Sequence, residues 1–273
     1  MKMTRTLSTL TIAIGLGACG GATSPPSSPQ VATAASAEAD PAPSPPESAA
    51  QPKPAEPELA VAKSKPAAAG GPLAELMREH FTQAEQVRHA VVSGKPHDAV
   101  QPALALGGTA DIANLPTAWR ASLERMRTAS QRVQNSSDLA EAAAGTADIG
   151  VACGGCHESQ GGPKVNVGEA PAVGTSVVSR MARHSWAMER LWEGLYVPSS
   201  AAWKAGAKAL QGDPFPPEVL ERGGVYGRSA AKDFKSLSSQ ASLKETPRDR
   251  AALYAGLLGT CATCHLATGQ GKP

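Results

Sequence analysis

The chain has 273 residues, of which 41% are hydrophobic, 18% charged and only 4% aromatic, and it carries five cysteines. Its formal charge of +2 is accounted for by Lys2 and Arg5; the other 24 Lys and Arg equal the 24 Asp and Glu, so the clustered basic footprint of a nucleic-acid binder is missing. All aromatic residues fall between Phe81 and Tyr254, which excludes a uniform globule over the whole length.

The first residues read as an address. Lys2 and Arg5 make a positive start, and Leu7 to Leu16 form an apolar run of about ten residues, too short to span a bilayer and typical of a secretory signal. The run ends in Leu16-Gly17-Ala18-Cys19, which resembles the bacterial lipobox. That resemblance implies a signal peptide over 1–18, cleavage before Cys19, lipidation of Cys19 and a membrane anchor outside the cytoplasm, periplasmic or on the outer surface. An ordinary cleaved signal with an incidental cysteine is the alternative. Residues 19–72 are dominated by Ala, Pro, Ser and Glu and hold twelve of the 23 prolines. Without apolar periodicity they cannot offset the entropy of ordering, so a disordered tether is expected. In a polyproline-like state it would reach at most ~150 Å.

Two pentapeptides carry chemistry: Cys153-Gly154-Gly155-Cys156-His157 and Cys261-Ala262-Thr263-Cys264-His265. Cys-x-x-Cys-His is the c-type haem attachment pattern. The spacing puts both thiols on one side of a helical turn, where they add to the porphyrin vinyl groups, and the adjacent histidine serves as proximal iron ligand. A zinc site would need four ligands brought together, but the pairs are 108 residues apart and each has its own histidine. A thioredoxin-like redox pair would want a βαβ setting, which the pattern lacks. Two covalent haems are therefore expected, on Cys153 and Cys156 with His157, and on Cys261 and Cys264 with His265.

Reading back from each motif exposes a tandem repeat. Met77 and His80 recur as Met181 and His184, 104 residues later, and Ala84, Val87 and Val91 match Met188, Leu191 and Leu195 on one helical face. Each half then offers a second helix (98–106 and 201–210), a third (117–134 and 226–243) and a fourth. The fourth opens near Ser137 or Asp138 and near Thr246-Pro247, both good helix starts, and runs into the attachment motif. No stretch shows sustained period-two alternation. The expected fold is all-α: two tandem four-helix bundles, 73–162 and 172–268, joined by a Gly- and Pro-rich connection over 161–171.

A bundle of about 100 residues with Cys-x-x-Cys-His near its C-terminus resembles the cytochrome c′ family and its Met-ligated low-spin relatives. The resemblance covers Leu73 to about Ser159 and Val173 to Thr268; the doubled bundle departs from the family pattern. In that family the distal position lies on the first helix, which implies Met77 and Met181 as distal ligands, with His80 and His184 one turn further along the same face as the alternative. Apolar core packing for the methionines, and an open distal site, stay possible. His89 and His97 have no counterparts in the second half and read as surface. Trp119, Trp186, Trp192 and Trp203 read as core or haem-flanking, and Arg180 and Arg183 as candidates to meet haem propionates.

The expected function is a lipid-anchored di-haem electron carrier whose partners are redox proteins and a membrane, with no nucleic acid and no small-molecule substrate. No nucleophile–base pair, dinucleotide fingerprint or P-loop suggests an enzyme. Open distal sites would instead make a binder of nitric oxide or carbon monoxide. A di-haem peroxidase fits poorly, because that family is longer and spaces its motifs differently.

Overall fold

Side-chain caps start four of the described helices. Asp138 accepts the Glu141 amide at 2.9 Å, and the Glu141 carboxylate in turn accepts the Ser137 amide at 2.9 Å, a reciprocal pair that satisfies two otherwise orphaned donors. Thr246 caps its helix through the Asp249 amide at 3.1 Å, with Pro247 at the first helical position. Ser176 and Ser199 do the same through the amides of Ser179 and Ala202. Asp138→Ala should cost about 1 kcal/mol by removing such a cap, measurable as a lower denaturation midpoint.

The computed structural model describes residues 72–108, 117–212 and 215–269. The expected signal peptide (1–18), the lipidation site Cys19 and the linker expected over 19–72, apart from Pro72, lie outside the described residues. The helices are α1 Pro72–Val92, α2 Val100–Gly108, α3 Thr117–Gln134, α4 Leu139–Gln160, α5 Val177–Tyr196, α6 Ser200–Leu210, α7 Pro217–Gln240 and α8 Pro247–Thr268. Short 3₁₀ turns cover Pro96–Ala99 and Ala241–Leu243, and no strand occurs among the described residues.

The protein is all-α, with four helices before the 161–176 connection and four after it. The third helix of the second half differs from expectation. It begins at Pro217 rather than near Tyr226, and a break at Gly224 (φ 58°, ψ −142°) separates its first two turns from the rest. The residues after that break are the ones whose periodicity was legible.

The eight helices belong to one compact unit. α4 packs along α3 and also along α8 of the other half, and α1 and α5 each lie against both α4 and α8. Apolar residues surround α4 on most sides, with Ala142, Ala147, Ile149, Gly150 and Ala152 all buried, as suits a helix enclosed by neighbours. A single buried cluster therefore runs through both halves, from Val87 and Leu106 through Ile149 to Leu191, Trp203 and Leu257. α8 is long and apolar enough to cross a membrane, but eight of its residues are buried against neighbours and it packs along α4 and α7. It is a core helix. The 161–176 connection is pinned to α5: Arg190 donates to the Val167 carbonyl at 3.2 Å and Arg183 to that of Pro171 at 2.5 Å.

Candidate functional site

Both attachment motifs fall in the last two turns of their helices. Each helix then stops on a glycine at φ 75°, Gly161 after α4 and Gly269 after α8, whose amide bonds back to the carbonyl of the motif histidine. This shared stop, 108 residues apart like the motifs, places His157 and His265 at equivalent helix ends.

The two histidines are anchored alike, and across the halves. His157 Nδ1 lies 2.5 Å from the carbonyl oxygen of Tyr196, the last residue of α5. His265 Nδ1 lies 3.0 Å from that of Val92, the last residue of α1. A carbonyl only accepts, so Nδ1 carries the hydrogen, and in the neutral ring Nε2 keeps its lone pair. Metal-bound histidines are oriented in this way, with the second ring nitrogen donating to a carbonyl or carboxylate. Val92 and Tyr196 are 104 residues apart, the spacing of the first-helix repeat. Each half therefore holds the other's histidine.

Above His157 is a cleft of about 570 Å³, counting the part open to solvent, with an almost wholly apolar lining. It brings together five of the residues singled out in the first half: Met77 and His80 from α1, and Cys153, Cys156 and His157 from α4. α3 contributes Ser122, Leu123 and Met126, and the second half contributes Trp192 and Tyr196. His80 is 5% exposed, and burial lowers its pKa against the opposing pull of Glu79, which favours the neutral imidazole.

In the second half, apolar side chains pack around Cys264. Cys264 packs with Val219 and Ala230, against which Val177 and Phe215 lie. His184, 6% exposed, has its ring 5.2 Å from that of Phe215 and 4.8 Å from that of Phe234. Met181 is half-buried, one turn along α5 from Val177. The apolar group around Cys264 and the first turns of α5 thus meet, as those of α4 and α1 do in the first half.

All four motif cysteines are free thiols. Cys153 and Cys261 are partly exposed by area yet crowded by protein atoms, and burial pushes both thiols up to about 12, with the neighbouring motif cysteine adding to the shift. Burial also raises Cys156 and Cys264. Raised thiol pKa values keep the thiolate, the form that attacks a disulfide, scarce at neutral pH. Among the described residues no group of three or more His, Cys, Asp or Glu is arranged to hold a metal ion. A haem iron does not call for one, since the porphyrin supplies four of its ligands.

The other residues singled out from the sequence have plainer places. His89 and His97 are exposed, Trp192 and Trp203 are buried, and Trp119 and Trp186 are half-buried. Arg183 donates from Nε to the Ala209 carbonyl and from Nη1 to that of Pro171, and so clamps the connection to α5 and α6. The cross-half anchors had no sequence signal, because backbone carbonyls are supplied by any residue. Comparison with protein-family models, curated proteins and solved structures finds no match.

Proposed function

We propose that the chain is an exported di-haem c-type cytochrome that carries electrons outside the cytoplasmic membrane, tethered through a lipid on Cys19. In this reading each half is a haem-binding four-helix unit. Cys153 and Cys156 bind the first haem covalently, with His157 as proximal ligand, and Cys261, Cys264 and His265 do the same for the second. Bound there, haem supplies a one-electron Fe(III)/Fe(II) couple. The observation that carries the reading is the paired anchoring of His157 and His265, each held through Nδ1 with Nε2 left as the available lone pair, on the residue that follows the second cysteine of its motif.

The chain's own residues would do the rest. The carbonyls of Tyr196 and Val92 fix the imidazole planes and raise the basicity of Nε2. The apolar lining of the first cleft offers water few hydrogen-bond partners, and Met77 and His80 present a thioether and an imidazole as distal candidates. Met ligation would raise the reduction potential, whereas a second histidine would keep it lower. The opening of that cleft to solvent favours a second reading, a gas-binding protein with open distal sites.

A pyridine haemochrome assay with mass spectrometry should find two covalent haems; none would sink the cytochrome reading. In the reduced protein, bands unmoved by carbon monoxide are expected for the electron carrier, and a large shift would select the gas binder. Met77→Ala and His80→Ala, made singly, should identify the distal ligand as the change that turns the first haem high-spin. A Cys19→Ala form should leave the membrane fraction if the lipid anchor holds.

A further inference from the structure

The two sites are built unequally across the halves. Trp192 and Tyr196 sit on α5, in the second half, yet both line the cleft over Cys153, Cys156 and His157. Trp192 is 2% exposed, and its ring lies so close over Gly150 of α4 that a Cβ there would come within 2.4 Å of it. The same ring stacks on Tyr254 of α8, with centroids 5.7 Å apart and planes 18° from parallel. The Tyr196 ring is 5.3 Å from that of Phe81 and edge-on to His157 at 6.4 Å, while its carbonyl holds His157 Nδ1. At the repeat-related positions on α1 stand Arg88 and Val92. Arg88 is paired with Glu85 at 2.5 Å, and Val92 gives His265 a carbonyl but no ring.

We propose that Trp192 and Tyr196 are positioning residues for the haem of the other half, the one attached at Cys153 and Cys156. This rests on the haem reading above. Two aromatic rings and one carbonyl delivered by α5 complete a site that the first four helices leave open. Among the described residues, the repeat-related positions on α1 give the second half an ion pair and a carbonyl but no aromatic ring. A change on α5 is therefore felt first at the haem on the opposite half. Because Trp192 also stacks on Tyr254, seven residues before Cys261 on α8, it makes the packing of one site depend on the other.

The test uses the full-length, haem-loaded protein. In a Cys261→Ala/Cys264→Ala background, which leaves only the first attachment motif, Trp192→Leu should shift both the redox midpoint and the visible spectrum of the remaining haem, and Trp192→Phe should restore most of each. In the reciprocal Cys153→Ala/Cys156→Ala background, the same substitution should shift the remaining haem far less. A first-motif haem unmoved by Trp192→Leu and Tyr196→Leu, or a second-motif haem moved as much, would overturn the proposal. If either background fails to fold, the same variants of the intact protein, read by haem-methyl NMR signals that resolve the two haems, decide it by the same criterion. A chain without covalent haem in the haemochrome assay is a different result, and it removes the haem reading along with this one.

Discussion

Gly154→Ala is expected to destabilise the protein by about 2 kcal/mol, whereas Gly155→Ala, one residue on in the same motif, should stabilise it by up to about 1 kcal/mol. Both glycines are interior to α4, where alanine is intrinsically favoured by about 1 kcal/mol. Their surroundings reverse that preference at only one of them. A Cβ on Gly154 would lie 2.2 Å from the carbonyl oxygen of Leu195 and 3.3 Å from its carbon, so backbone must move. A Cβ on Gly155 would meet first the far end of the Arg125 side chain, at 3.1 Å, which swings away at little cost.

The last turn of α5, pushed off α4, carries the Tyr196 carbonyl with it, so Gly154→Ala should also loosen the His157 anchor. The second half has Ala262 at the corresponding position, buried, so α8 already makes room there for a methyl group. Chemical denaturation of the two variants, with the visible spectrum recorded alongside, checks both halves of this expectation. Equal stability of Gly154→Ala and Gly155→Ala would contradict the close approach of α4 and α5.

Trp203→Ala is expected to cost about 3–5 kcal/mol, the usual range for truncating a fully buried tryptophan. The residue is 1% exposed on α6, and its indole Nε1 donates to the Ala241 carbonyl at 2.8 Å. The Arg250 guanidinium lies 5.2 Å from the ring centroid, and that arginine also donates to the Lys244 carbonyl and the Ser200 hydroxyl. Trp203 therefore fastens α6 to the turn before α8, in a half where α6 makes few contacts with α7. Trp203→Phe would keep most of the packing but leave the Ala241 carbonyl only its longer bond from the Lys244 amide, at 3.4 Å, for a loss of about 1 kcal/mol. In thermal melts the alanine variant should fall on the order of 10 °C below the parent and the phenylalanine variant between them. A melt unchanged by Trp203→Ala would mean that α6 is not held through this ring.

How far the sequence could be read depended on what each feature is made of. α3 was legible to the residue because its polar and apolar positions alternate with helical period over Thr117–Gln134 and Gln134 is followed by turn formers. α4 and α8 were legible at their starts because Asp138 and Thr246 cap through side chains. The meeting of Met77 and His80 with Cys153, Cys156 and His157 followed from helix order, since a first and a fourth helix in one four-helix half lie side by side.

The opening of α7 was missed because Pro216-Pro217 and the two glycines after Arg222 read as loop, while the helix in fact starts on proline and absorbs a break at Gly224. Trp192 was read as core or haem-flanking without its destination. Periodicity says which face of a helix is apolar, and it does not say which neighbour that face meets. The anchors of His157 and His265 span 39 and 173 residues and involve main-chain oxygen, so no residue type marks them.

The reciprocal anchors change what the 161–176 connection is for. If each half supplies the carbonyl that orients the other's histidine, the halves relate to one another as subunits of a dimer, and the connection is the linker that makes their association intramolecular. A short linker of this kind sets an effective concentration in the millimolar range. The arginines that fasten the connection to α5 shorten its free span further. Pairing of the two halves is then independent of how dilute the protein is, and their stoichiometry is fixed at one to one by the covalent chain.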